Sequence, residues 1–230
     1  MRDRAFGVEI EFNTNGYGEY WIRKELRRNR IDWRIGHDGS ELELKTPILQ
    51  GTKGFKELKT VMNFLKESGC KANSYDGLHI HHDAPDFIRD EEAVLRLVKS
   101  WHENRNIVNS FVSQSRRRNS HCPHWEIEDI HRLEEGLYNG YGGIKSFGRN
   151  SLNVLSLEEH GTIEIRLHEG TLDYDQAEAW IKFGQKFINS CASRKRHIPE
   201  LTERDLLLRR IRVAKRTQKT LEEKALEIRR

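Results

Sequence analysis

The stretch Phe6–Phe12 sets the strongest constraint on the fold. Val8, Ile10 and Phe12 alternate with Glu9 and Glu11, and a strand's side chains change face at every residue. One face therefore belongs to a core, while the other carries two carboxylates only two residues apart. Like charges that close repel and raise each other's pKa unless something positive lies between them. A solvated outer face would explain this segment if it stood alone. The pattern recurs, however. Glu41–Leu42–Glu43–Leu44 again places two carboxylates on one face, and His79–Ile80–His81 places two imidazoles. Thr162–Leu167 sets Thr162, Glu164 and Arg166 against three aliphatic residues. If the four strands share one sheet, its polar face gathers five Glu, two His and one Arg. Hard oxygen ligands with imidazole and a guanidinium suit Mg²⁺ or Mn²⁺ and a phosphate.

The chain of 230 residues is long enough for one large domain or two small ones. Nine Phe and five Trp argue for a folded core in spite of 33% charged residues. A formal charge of +4 is small beside 40 basic and 36 acidic residues, so nucleic acid is not an expected partner. No apolar run approaches the length of a membrane span, and no signal-like segment follows Met1. Cys70, Cys122 and Cys191 are odd in number and widely spaced, which suits free thiols and a cytoplasmic location. His121–Cys122–Pro123–His124 is spaced too tightly for a structural zinc site.

In chain order, Glu19–Arg30 reads as a basic helix and Gly36–Ser40 as a loop with an Asp-Gly turn. Lys53–Ser68 has helical spacing and ends at Gly69. Cys70–His82 holds a strand or strand pair. Asp90–Gln114 reads as one longer helix, and a short helix is expected near Trp125–Glu135. Asn139–Arg149 is a Gly-rich loop with Lys145 and Arg149, whose backbone can approach a ligand closely. Leu152–Leu157 and Thr162–Leu167 read as a hairpin across Glu158–Gly161. Asp173–Cys191 is a core helix, and Thr202–Arg230 one amphipathic basic helix. This order predicts an α+β fold: a mainly antiparallel curved sheet, helices on one face and an open polar cleft on the other. The expected division is a catalytic domain over residues 1–200 and a C-terminal helix over 201–230.

Five motifs in the right order carry a family resemblance. They are Glu9–Ile10–Glu11, then Asp38–Gly39–Ser40 with Glu43–Leu44–Lys45–Thr46–Pro47, and Gly77–Leu78–His79–Ile80–His81. Arg149 with Asn153, and Thr162–Arg166 with Gly170–Thr171, complete the set. The sequence resembles the amidoligase family, small relatives of glutamine synthetase and γ-glutamylcysteine ligase, from Phe6 to about Phe183. The resemblance implies a glutamine synthetase-like catalytic domain in which ATP phosphorylates a carboxylate and an amine displaces phosphate from the acyl phosphate. It implies two divalent ions, one held by Glu9, His79 and Glu164 and the other by Glu11, Glu43 and either Glu41 or Asp38. Arg166 would clamp the transferring phosphoryl group beside His81, and Arg149, Asn153 and Lys145 would face nucleotide or substrate.

The implied cofactors are ATP and Mg²⁺ (or Mn²⁺). The implied substrates are a carboxylate and an amine (an amino acid, a peptide or a protein side chain), with homo-oligomerisation left open and no membrane partner. Phosphoryl transfer needs mainly metals and Arg to neutralise spreading charge, which agrees with these residue types. No Gly-x-x-x-x-Gly-Lys-Ser/Thr loop is present, so the nucleotide would be held through metals and the cleft. The alternative is a metal-dependent phosphoesterase or nuclease using the same cluster. Because like charges crowd the face, Glu164→Gln is expected to leave stability unchanged or slightly raised.

Overall fold

A computed structural model describes residues 3–14, 18–28, 33–38, 41–138, 149–193 and 198–228. Among them, six strands form one antiparallel sheet: β1 (Phe6–Phe12), β2 (Arg34–Asp38), β3 (Glu41–Lys45), β4 (Gly77–Asp83), β5 (Leu152–Asn153) and β6 (Thr162–Glu169). Their spatial order is β2-β3-β1-β4-β6-β5. Phe6, Val8, Ile10 and Phe12 are buried, while Gly7, Glu9 and Glu11 between them are half-buried. The alternation in the sequence is thus the two faces of the central strand. The predicted α+β architecture, an open antiparallel sheet with helices, is the one observed.

The helices are α1 (Glu19–Arg28), α2 (Gly51–Glu67), α3 (Glu91–Glu103), α4 (Arg105–Asn109), α5 (Gln114–Arg117), α6 (Ile127–Tyr138), α7 (Ser156–His160), α8 (Tyr174–Ser193), α9 (Arg204–Arg210) and α10 (Lys215–Glu227). None of the described helices is long and apolar enough to cross a membrane. The core lies between the apolar sheet face and α8, whose Ala177, Trp180, Ile181, Phe183, Phe187 and Ile188 are all buried. Trp101 of α3 meets Phe187 edge-on at 5.3 Å, and Trp180 stacks on Phe183 at 5.1 Å. Each such side chain contributes about 2 kcal/mol by leaving water.

Four local expectations are corrected. Arg34–Asp38 is a strand where a loop was expected at Gly36–Ser40; it pairs with β3 from Arg34↔Lys45 to Asp38↔Glu41. The Asp-Gly signal therefore follows a strand, and the strands on either side of it pair antiparallel. Leu152–Leu157 is a strand only over Leu152–Asn153, after which Ser156–His160 turns into α7. The Asn153 side chain accepts a hydrogen bond from the Leu155 N–H at 3.0 Å, an Asx turn that bends the chain away from the sheet. The helix expected over Asp90–Gln114 breaks at Asn104. Its amide donates to the carbonyls of Ser100, Ile198 and Pro199 and ties the break to the chain beyond α8.

The basic tail is two helices, not one. Arg212 takes φ 59° between them. Its N–H donates to the Arg209 carbonyl and the Val213 N–H to that of Leu208, the paired bonds of a Schellman ending. Gly69, with φ 77°, ends α2 with the same bond pattern, as its residue type announces.

His82 is fully buried on the core face of β4, and neither ring nitrogen has a hydrogen-bond partner among the described residues. It stands against Gly184 of α8, where a Cβ would come within 2.5 Å of Nε2. Burial first, and the nearby Arg4 and His81 charges second, push its pKa down from 6.5 to about 3. The fold refuses a proton that the unfolded chain accepts below 6.5, so stability falls as pH drops through this window. The slope attributable to His82 is about 1.4 kcal/mol per pH unit. Urea unfolding at intervals between about pH 6 and pH 4 checks this: His82→Leu flattens the decline by that amount, whereas parallel declines exclude His82 as the cause.

Candidate active-site cleft

Strand register alone brings the polar groups together. Glu9 of β1 lies opposite Lys45 of β3 on one side and His79 of β4 on the other. One step away, His81 lies opposite Glu164 of β6, which in turn lies opposite Asn153 of β5. Glu11 faces Glu43 across β1 and β3. Strands stand about 4.8 Å apart, so this lattice packs the carboxylates at contact range.

Lys45 Nζ sits between two of these carboxylates, 2.9 Å from Glu9 Oε1 and 2.7 Å from Glu43 Oε2. His79 Nδ1 is 3.5 Å from Glu9 Oε2 and 3.9 Å from Glu164 Oε1, while its Nε2 is 3.6 Å from Glu11 Oε1. Nδ1 is buried without a hydrogen-bond partner among the described residues. His81 Nε2 lies 3.8 Å from both Glu9 Oε1 and Glu164 Oε1, and its Nδ1 is held by the Thr162 hydroxyl at 3.0 Å. Glu164 bonds Arg166 Nη1 through Oε1 at 2.5 Å and accepts from Asn153 Nδ2 through Oε2 at 2.7 Å. The Ser156 hydroxyl stands 3.4 Å from the same Oε2.

The electrostatics follow from these contacts. Burial pushes the Glu9 carboxyl up, but His79, Lys45 and His81 outweigh it and hold Glu9 below its ordinary range. Burial also raises Glu43; Glu9 beside it adds to the rise and Lys45 opposes it. For Glu164, burial is again the largest influence, yet Arg166, His81, His79 and Asn153 together bring it below the usual carboxylate value. Burial lowers His81 against the pull of Glu164 and Glu9, which favours a neutral imidazole with a free lone pair.

Two sets of ligand atoms lie within 4.8 Å of one another: Glu9–Glu43–His79 and Glu9–His81–Glu164. Pairs at 3.5–3.9 Å are too far apart for good hydrogen bonds and near enough for one ion to touch both. Carboxylate oxygens with one imidazole suit Mg²⁺ or, better, Mn²⁺. The Thr162 contact to His81 is the kind of anchor that orients a ligating imidazole. By donor chemistry and by the orphaned His79 nitrogen, the residues fit a divalent ion.

These groups open into a cleft of about 270 Å³ lined by Glu9, His81, Arg149, Asn153, Ser156, Glu159, His160, Glu164 and Arg166. Two larger grooves, around Asn106–Arg204 and Asp3–Arg216, lie among other residues and include none of the ligand sets. Of the predicted site residues, the structure gathers Glu9, Glu43, His79, His81, Glu164, Arg166, Asn153 and Arg149. Glu11 is beside them, but its Oε2 accepts the Gly77 N–H at 2.5 Å. Glu41 belongs to neither ligand set and helps raise the pKa of Asp76, where burial is the main cause. Lys145 and the Asp38 side chain, like residues 139–148 and Gly39–Ser40, lie outside the described residues. The grouping differs from the one the resemblance implied, because Glu9 joins both sets and His81 faces carboxylates as well as the Arg166 side of the cleft.

Sequence reasoning missed Lys45, Ser156, Glu159 and His160 as site residues. Lys45 had a signal, being the third member of the alternation Glu41–Glu43–Lys45. The other three ride on α7: Ser156 lies in the stretch that reads as strand, and Glu159 and His160 lie in the stretch that reads as the hairpin turn.

The cluster points the other way from one expectation about stability. Glu164 is held below its ordinary pKa, so its charge stabilises the fold at neutral pH, and that contribution is lost as pH falls through the folded value. Glu164→Gln should therefore destabilise by about 1–3 kcal/mol, because it leaves Arg166 without its buried partner. Denaturant unfolding at pH 7 checks this; unchanged or raised stability would show that carboxylate repulsion dominates after all.

The family described as "putative amidoligase enzyme" matches residues 23–141, just over half of the chain. No curated protein matches it. The matched segment carries Glu43, His79 and His81, while Glu9 precedes it and Glu164 and Arg166 follow it. With five family motifs in order and an α+β sheet beneath them, the chain belongs to the amidoligase family.

Proposed function

We propose that this protein is an ATP-dependent carboxylate–amine ligase, forming an amide bond by way of an acyl phosphate. Family membership supports an amide-bond-forming ligase. The observation that supports the finer reading is the carboxylate–imidazole set Glu9–His81–Glu164 in a cleft that also contains Arg166 and Arg149, with the set Glu9–Glu43–His79 joined to it through Glu9.

Glu9, His81 and Glu164 would hold Mg²⁺ or Mn²⁺, with Glu43 and His79 forming a second set beside them through Glu9. A divalent ion held there would supply positive charge to offset that of phosphate oxygens. Arg166, aimed by its bond to Glu164, offers its remaining guanidinium donors to a transferring phosphoryl group, whose charge spreads over three equatorial oxygens. Nε of Arg166 has no hydrogen-bond partner among the described residues, and a phosphate oxygen would satisfy it. Arg149 is exposed at the cleft and is free to follow nucleotide or substrate. Asn153 and Ser156 fix the second oxygen of Glu164, so that its first stays turned toward His81 and Arg166. The substrates belong to two classes, a carboxylate and an amine from an amino acid, peptide, polyamine or protein side chain.

Calorimetry with a non-hydrolysable ATP analogue tests this without knowledge of the substrates. Binding is expected with Mg²⁺, and should fall by about tenfold or more with chelator or in Glu9→Gln. A well-folded wild type that binds no nucleotide under any of these conditions would overturn the ligase. Cleavage of a phosphate ester without nucleotide would then identify a metal-dependent phosphoesterase or nuclease.

A further inference from the structure

Lys45 occupies one of the two ligand sets. Its ammonium lies 2.9 Å from Glu9 Oε1 and 2.7 Å from Glu43 Oε2, between the carboxylates of the set Glu9–Glu43–His79. The placement is built into the sheet: Lys45 lies directly opposite Glu9 in the β1–β3 register and two residues from Glu43 on the same face of β3. Thr46 fixes the end of that pairing. Its N–H donates to the Val8 carbonyl at 2.9 Å, and its hydroxyl accepts from the Val8 N–H at 2.9 Å. The other set, Glu9–His81–Glu164, faces the cleft; there Arg166 Nη1 bonds Glu164 Oε1, and Glu9 Oε1 is shared between Lys45 and His81.

We infer that Lys45 is the resident cation of the Glu9–Glu43–His79 set, so that this chain takes one tightly bound divalent ion, at Glu9–His81–Glu164, and a lysine ammonium in place of a second. The inference rests on the metal-centred reading above. The local charge agrees with it. Glu9, Glu11, Glu43 and Glu164 meet Lys45 and Arg166 within one contact network. Four carboxyl groups there share two cationic side chains, which leaves room for one further cation. An ammonium supplies a point charge to both carboxylates without coordination chemistry. The Lys45 side chain is 45% exposed, so water can compensate its charge while Glu43, at 6%, stays paired.

Mn²⁺ titration of the folded protein, followed by calorimetry and by the electron paramagnetic resonance signal of free Mn²⁺, counts the sites directly. Wild type should bind one tight Mn²⁺. Lys45→Met should bind two, the second about tenfold or more tighter than any second ion in wild type. Lys45→Arg should stay at one. Two equally tight ions in wild type, or a single ion in folded Lys45→Met, would overturn the role of Lys45 while leaving a metal centre in place. No Mn²⁺ binding by folded wild type would instead remove the metal-centred reading itself. If Lys45→Met does not fold, two variants in the wild-type background decide the matter. Glu43→Gln should keep the tight Mn²⁺ and His81→Asn should lose it, and the reverse pattern would overturn the inference.

Discussion

Buried like charge is the constraint on which the rest of this molecule depends. Glu43 and Glu164 are each brought within reach of Glu9 by hydrogen-bonded strands, and both are nearly inaccessible to water. Carboxylates in that position either become neutral or acquire compensating partners. The chain supplies partners from within the sheet: Lys45 for Glu9 and Glu43, Arg166 and Asn153 for Glu164, and the Gly77 N–H for Glu11. Only the rigidity of a core filled by Trp101, Trp180, Phe183 and Phe187 allows such a cluster to persist, since a looser sheet would relax the charges apart.

The polar face was legible in the sequence because strand periodicity is simple. Glu9, Glu43, His79, His81, Glu164 and Arg166 were each found from alternation, and the register then placed them side by side. Features that depend on pairing were not legible. In β6, Ile165 lies opposite Ile80 but His168 lies opposite Leu78, so three residues match two. This bulge carries His168 to the core face, where its ring lies 5.2 Å from that of Trp180, and sets Glu169 opposite Gly77. Simple alternation from Glu164 and Arg166 would have placed His168 in the cleft.

Local conformations showed the same divide. Gly69 announced the end of α2, since glycine reaches the left-handed region freely. Arg212 ends α9 in that region with no such signal, so the basic tail read as one helix. The start of α7 was read as strand and the rest of it as a hairpin turn, because Leu152–Leu157 is rich in β-compatible residues, and the Asx turn at Asn153 outweighs that local preference. That misreading hid Ser156, Glu159 and His160 from the site.

A central strand in a sheet has two neighbours, and β1 uses both. Glu9 consequently serves two ligand sets with one carboxylate: Oε1 faces Lys45 and His81, while Oε2 faces His79. Whatever binds at one set changes the charge felt at the other through a shared group, at separations where screening by water and salt is weak. The Lys45 ammonium draws on the same Oε1 that the Glu9–His81–Glu164 set would offer an ion. Movement of Lys45 would therefore strengthen the ligand it releases. Residues belonging to a single set, Glu43 on one side and His81 on the other, separate the two sets; Glu9 joins them.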